Sequence, residues 1–122
     1  MRVLLSIKPE FALKIFDGSK RFEFRRSIFK NRDIKKVIVY ASSPVGKIIG
    51  EFEIEEILHE ELPILWSKTK NHAGTNEEKF RKYFSDKSKG YAIQITNAKR
   101  YDEPMLLNHF MVSSPPQSFM YI

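Results

Sequence analysis

The chain has 122 residues, a formal net charge of +6 and no cysteine. That length fits a single domain, 1–122, and the missing thiols exclude a disulfide framework, thiolate metal sites and cysteine nucleophiles. Apolar residues make up 42%, including ten Phe, enough for a core that hides roughly two-thirds of the unfolded surface.

Val3 to Ile7 is a short apolar run with β-branched residues and reads as a strand. Met1 to Pro9 is too short in apolar residues for a signal peptide, and no later run approaches the ~20 residues of a membrane helix. A cytoplasmic location with no membrane partner is therefore expected. Pro9 suits the first turn of a helix, Phe11, Ala12, Ile15 and Phe16 recur at helical spacing, and Gly18 stands where that helix should stop. From Lys20 the pattern alternates. Phe22 and Phe24 share one face and Arg21, Glu23 and Arg25 the other, since successive strand side chains point to opposite sides. Val37–Tyr40 reads as a strand buried on both faces, and Ser42-Ser43-Pro44-Val45-Gly46 as a loop.

Lys47 to Leu58 is the longest predicted strand, with Ile48, Phe52 and Ile54 alternating against Glu51, Glu53 and Glu55. Pro63 opens a second helix. Thr75-Asn76-Glu77-Glu78 has the spacing of a capping box, with Thr75 as cap, and predicts a third helix presenting Phe80, Tyr83 and Phe84 to the core. Gly90 ends it, and Tyr91, Ile93 and Ile95 begin a strand running towards Tyr101. Met105 to Val112 is read as extended or irregular, and Phe119 to Ile122 as a terminal strand behind Pro115 and Pro116. Five or six strands with short helices between them predict an α+β fold, a mixed sheet curled into a small barrel.

Charge is unevenly distributed. Residues 1–36 hold eleven Lys or Arg against four acids, whereas residues 51–61 hold six Glu and no Lys or Arg. A basic field attracts polyanions, and a pI near 9.6 suits a nucleic-acid-binding domain. The alternative is an ordinary lysine-rich soluble domain.

Three constellations can carry chemistry. Lys20, Glu23 and Arg25 beside Gly18 could hold an anion, polarise a carbonyl or supply a base if desolvation lowers the lysine pKa. Their structural alternative is a surface ion-pair ladder of little energetic consequence. His59, His72 and His109 lack the spacing of metal ligands, so neither a metal nor a cofactor is expected. Aromatic residues interleave with bases around Phe22, Phe24 and Phe29 and around Tyr91 and Tyr101, as in single-strand binders. Phe22 and Phe24 fit a buried face better, leaving Tyr40, Tyr91 and Phe119 as the aromatics expected at a cleft edge.

Ser6-Ile7-Lys8-Pro9 followed by Gly18-Ser19-Lys20-Arg21-Phe22-Glu23-Phe24-Arg25-Arg26 resembles the opening motif of ASCH domains, a branch of the PUA-like superfamily. Tyr40-Ala41-Ser42-Ser43-Pro44, Gly50-Glu51-Phe52, Gly90-Tyr91-Ala92-Ile93 and Pro115-Pro116-Gln117-Ser118-Phe119 are similar to a compact microbial subgroup, so the likeness spans essentially the whole chain. The resemblance implies a PUA-like mixed barrel of five to seven strands with two or three peripheral helices. It also implies a cleft beside the first helix, where the motif faces the Ser42–Pro44 loop. PUA-like domains are mostly RNA-binding, and some small bacterial ASCH proteins remove acetyl from acetylated cytidine. Those enzymes use the motif Lys, a Thr where this chain has Glu23, and a further Glu in a later helical segment. Lys20 and Arg25 match that pattern and Glu23 departs from it, so that enzyme's assignment does not transfer. Other ASCH proteins act as ribonucleases.

The leading expectation is an RNA- or nucleotide-binding module. Its ligand would meet Lys8, Lys20, Glu23, Arg25 and Arg26, with Ser42, Ser43, Tyr91 and Gln117 completing the site. The second is a hydrolase of acetylated cytidine or RNA, with Lys20 activating water or stabilising an oxyanion and Glu23 shuttling the proton. The third is a protein-interaction module using the acidic Glu51–Glu61 face.

Overall fold

A computed structural model describes all residues, 1–122. Strand β1 (Val3–Ile7) leads into helix α1 (Pro9–Asp17), then β2 (Phe22–Arg25), β3 (Lys36–Ala41) and the long β4 (Lys47–Glu61). Helix α2 (Leu62–Thr69), a 3-10 turn at Lys70–His72 and helix α3 (Glu77–Tyr83) precede β5 (Lys89–Met105) and β6 (Phe119–Tyr121). The six strands form one sheet in the order β2-β5-β4-β3-β1-β6. Only β1 and β3 run parallel, connected through α1 and β2. Register shifts interrupt both ladders made by β4, and such irregularities bend strands and increase their twist. The sheet curls into a half-barrel with β2 and β6 at its edges, the curled mixed α+β sheet expected from the succession of strands and short helices.

Three apolar clusters follow from this curl. Val3, Leu5 and Ile7 alternate with Leu4 along β1, so one set packs with Val37, Val39, Phe52 and α1 while Leu4 packs on the other face with Ile38 and Ile48. The remaining cluster joins Phe22 and Phe24 to Leu65, Phe80 and Phe84, with Phe24 edge-on to Phe80 at 5.0 Å between ring centroids. That geometry is favoured by the ring quadrupoles and seats α2 and α3 against β2.

Two local expectations change. Asn76 caps α3, its side-chain oxygen accepting from the Lys79 N–H at 2.8 Å. Asn outranks Thr at this position, so Thr75 is displaced one residue outside the helix. In the segment read as extended or irregular, β5 continues to Met105 and a 3-10 turn covers Leu107–Phe110.

Candidate functional site

Helix α1 stops at Gly18, whose φ of +88° is a left-handed conformation that costs glycine little. The chain turns back, the Lys20 N–H donates to the Lys14 carbonyl, and Lys20 forms an isolated bridge with Ala73. This turn drives the Lys20 side chain inward, leaving it 3% exposed. Its Nζ donates to the Ala73 carbonyl at 2.9 Å, and Lys14 Nζ donates to the adjacent Gly74 carbonyl at 3.0 Å. Gly74 has a φ of +70°, and a Cβ there would stand 2.7–2.9 Å from the Lys20 stem. Only a residue without a side chain lets this loop lie across the lysine.

The Lys20 ammonium also lies 4.7 Å from the Phe24 ring centroid and 5.2 Å from that of Phe11, positions in which the ring faces stabilise a cation. Burial nevertheless holds the Lys20 pKa below the ordinary lysine value. Glu23 partly offsets that effect and the Lys14 charge adds to it.

Glu23 is equally withdrawn, at 6% exposure. Its Oε1 stands 4.0 Å from Lys20 Nζ, and its Oε2 accepts from Arg25 Nη1 at 3.1 Å. Arg25 also donates from Nη1 to the Ser6 carbonyl, and from Nη2 to the Ser118 carbonyl and, at 2.6 Å, to Ser118 Oγ. Ser118 lies just before β6, at the opposite edge of the sheet from β2. Arg25 therefore laces the two edges of the half-barrel together while holding Glu23 in place.

These groups line a cleft of about 720 Å³, a size common for small-molecule sites. β2 is an edge strand, and its residues of both parities, Glu23, Phe24 and Arg25, line the cleft. Lys8, Glu10 and Phe11 line it at the start of α1, Ser42 in the loop after β3 and Gln117 before β6. Thr75 and, from α3, Lys79, Phe80, Lys82 and Tyr83 complete it. Five cations thus face two carboxylates. The Tyr83 hydroxyl donates to the Phe24 carbonyl, and burial pushes its pKa up.

Lys8, Lys20, Glu23, Arg25, Ser42 and Gln117 therefore come together, whereas three of the expected ligand residues do not line the cleft. Arg26 lies past the end of β2, extends to solvent and pairs with Asp86. Ser43 is exposed in the loop beyond Ser42. Tyr91 pairs with Arg25 across the ladder but stacks on His59 at 4.0 Å between ring centroids. The other expected edge aromatics are also elsewhere. Tyr40 is buried with Leu4 and Ile38, and Phe119 packs on Phe29. Phe11 alone offers a partly open ring to the cleft, with Phe24 and Phe80 behind it in the core.

The residues missed include Glu10 and Phe11 of α1 and, above all, those of α3 and the loop before it. Lys79, Lys82 and Tyr83 share one helical face by their i, i+3 and i+4 spacing, a signal present in the sequence. That this face meets β2 depends on tertiary packing.

Residues 1–115 match the family model described as a domain of unknown function (DUF365). The chain is 26% identical over 121 residues to the large ribosomal subunit protein uL22 of Ureaplasma parvum serovar 3, covering 98% of this chain and 39% of that protein. It thus spans about two-fifths of that relative's length. It is 35% identical over 92 residues to an ASCH domain-containing ribonuclease of Zymomonas mobilis, covering 75% of this chain and 62% of that protein. The crystal structure of ASCH from Zymomonas mobilis matches with a TM-score of 0.90 at 29% identity, over 99% of this chain and 87% of that one. The N-terminal domain of Staphylothermus marinus McrB shares the fold alone, at a TM-score of 0.53 and 13% identity. The chain thus belongs to the DUF365 family, and its PUA-like half-barrel is that of an ASCH domain.

Proposed function

We propose that the cleft between α1, β2 and α3 binds RNA or a nucleotide. The observation that carries this reading is the half-buried ring of Phe11 in a cleft that also gathers five cations. Aromatic surface accepts bases of any sequence, and cations near it meet the phosphates that follow. Lys8, Lys79 and Lys82 are exposed and take the phosphates, while Lys20 acts inside. The relative named as a ribonuclease is in keeping with an RNA ligand.

The test is fluorescence anisotropy on a short single-stranded RNA across a salt series. Binding should weaken as salt rises, because each phosphate contact releases counterions. Replacing Lys79 and Lys82 together by Ala should flatten the logarithmic slope by about 1.4, at roughly 0.7 for each phosphate of a single strand that is no longer neutralised. Affinity that is unmeasurable at low salt, or indifferent to Lys20→Met, contradicts the reading.

One observation favours a hydrolytic version of the same site. Lys20 and Glu23 stand 4.0 Å apart, almost wholly out of solvent, and the lysine pKa is depressed. A lysine in that state stabilises developing negative charge as ammonium or takes a proton as free amine, with the neighbouring carboxylate as shuttle. The substrate would be RNA or acetylated cytidine. Turnover of either that survives Lys20→Met removes this mechanism and leaves binding.

A further inference from the structure

Thr75 takes no side-chain part in the bonding that builds the cleft. Its Oγ1 is shut off from solvent, hydrogen-bonds nothing, and is the one buried side-chain polar atom of the chain left without a partner. The residues around it are fully engaged. Ala73 and Gly74 give their carbonyls to Lys20 and Lys14, and Asn76 caps α3. A buried hydroxyl that bonds nothing costs free energy, so its position calls for an explanation.

Thr75 lines the same cleft as Lys20 and Glu23, and both of those groups keep unused capacity. The Lys20 ammonium has three N–H donors and one hydrogen-bond acceptor, the Ala73 carbonyl. Glu23 Oε1 has only the 4.0 Å ion-pair approach of Lys20, beyond hydrogen-bond range. Thr75 as a whole is partly open and lines the cleft. A turn about χ1 that exchanges its closed-off hydroxyl with its methyl therefore gives the cleft a donor, an acceptor and a hydroxyl able to do either, beside the Phe11 ring. A phosphate would meet the Glu23 carboxylate there and be repelled. The polar edge of a flat heterocycle, with N–H and carbonyl groups side by side, matches all three.

Resting on the RNA- or nucleotide-binding reading, we propose that Thr75 is a specificity-determining residue whose hydroxyl bonds the polar edge of a nucleobase, beside Lys20 and Glu23. The base enters first, and its phosphates stay with Lys8, Lys79 and Lys82 at the exposed cations.

The test sets the four ribonucleosides and ribose 5-phosphate in competition with a labelled short RNA, on the full chain and on three variants. At least one nucleoside should compete and ribose 5-phosphate should not. Thr75→Val, which keeps the branched shape and removes the hydroxyl, should weaken that nucleoside roughly five- to ten-fold, the worth of one hydrogen bond. Its thermal midpoint should hold or rise, since the hydroxyl it removes bonded nothing in the free protein. Thr75→Ser should stay within about two-fold of the natural chain on the same grounds. If Thr75→Val binds like the natural chain while Lys20→Met does not, the role given to Thr75 is wrong and the cleft reading stands. The role is also wrong if Thr75→Val loses affinity and thermal stability together, or if ribose 5-phosphate competes and no nucleoside does. A natural chain that binds no RNA and no nucleoside overturns the cleft reading itself, and this inference with it.

Discussion

Arg25 gives its guanidinium to acceptors on Ser6, Glu23 and Ser118, whereas Arg26, the next residue, reaches into solvent and pairs with Asp86. The side chains of Arg25 and Glu23 are 11% and 8% exposed, and those of Arg26 and Asp86 are 44% and 62% exposed. The same chemistry has opposite consequences in the two places. In solvent, an ion pair is screened and its side chains lose freedom to form it, so it contributes little. Inside, each charge has been stripped of water and every partner counts. The acidic face of β4 resembles the Arg26 case, with Glu51 paired to Lys36 and Glu60 to Lys68 on partly open surface. A buried charged group is costly to keep, which is why the Lys20, Glu23 and Arg25 cluster reads as a site and the pairs on β4 do not.

Substitution separates these cases, and the largest effect should come from Arg25→Ala. It unlaces β2 from the segment before β6 and leaves Glu23 without its guanidinium, a loss on the order of 3–5 kcal/mol. For a chain this short that lowers the thermal midpoint by roughly 10 °C or more, readable by calorimetry. Adding Glu23→Gln to Arg25→Ala should recover part of the loss, because the abandoned charge is then gone. No recovery would mean that the guanidinium serves mainly to close the sheet.

Gly74→Ala should come next, at about 1–3 kcal/mol, since it imposes a left-handed conformation on a residue with a side chain and pushes Cβ into the Lys20 stem. Denaturant unfolding measures the loss. RNA affinity should fall as well, because the ammonium moves with its stem.

A smaller effect depends on pH. Because the Lys20 pKa is lower folded than unfolded, the unfolded chain holds this proton more tightly. Stability should therefore rise with pH from the lowered value up to the ordinary 10.5. Tyr83, whose pKa is raised above 10.0, acts in the opposite direction only at higher pH. Between pH 7 and 10 the natural chain should gain stability relative to Lys20→Met, as urea titrations would show. A constant difference would contradict the depressed pKa. Arg26→Ala should do least, changing stability by under about 1 kcal/mol and leaving RNA affinity within a factor set by one exposed charge.

Periodicity made the sheet, the helices and their order legible, because each element has its own spacing of apolar residues. Alternation along β2 also placed Phe22 and Phe24 on the core side. It set Glu23 and Arg25 on the opposite face without saying whether that face is open surface or cleft wall. The curl brings Ser6 and Ser118 over that face, and no local pattern encodes which strand edges will meet. Tyr91 was misplaced for a related reason. Its partner His59 lies on a strand 32 positions back, joined only through the β4–β5 register. Thr75 looked like a helix cap because its spacing to Glu78 fits one. Asn76 held the stronger claim, and the hydroxyl this left over became informative only once its surroundings were seen.

The most direct test is an amide NMR titration of the isotope-labelled chain with short single-stranded RNA at low salt. Shifts concentrated at Lys8, Lys20, Glu23, Thr75, Lys79 and Lys82, with β4 from Glu53 to Glu61 silent, are the result expected. Shifts confined to other surfaces, or none at saturating RNA, would show that this cleft does not hold the ligand.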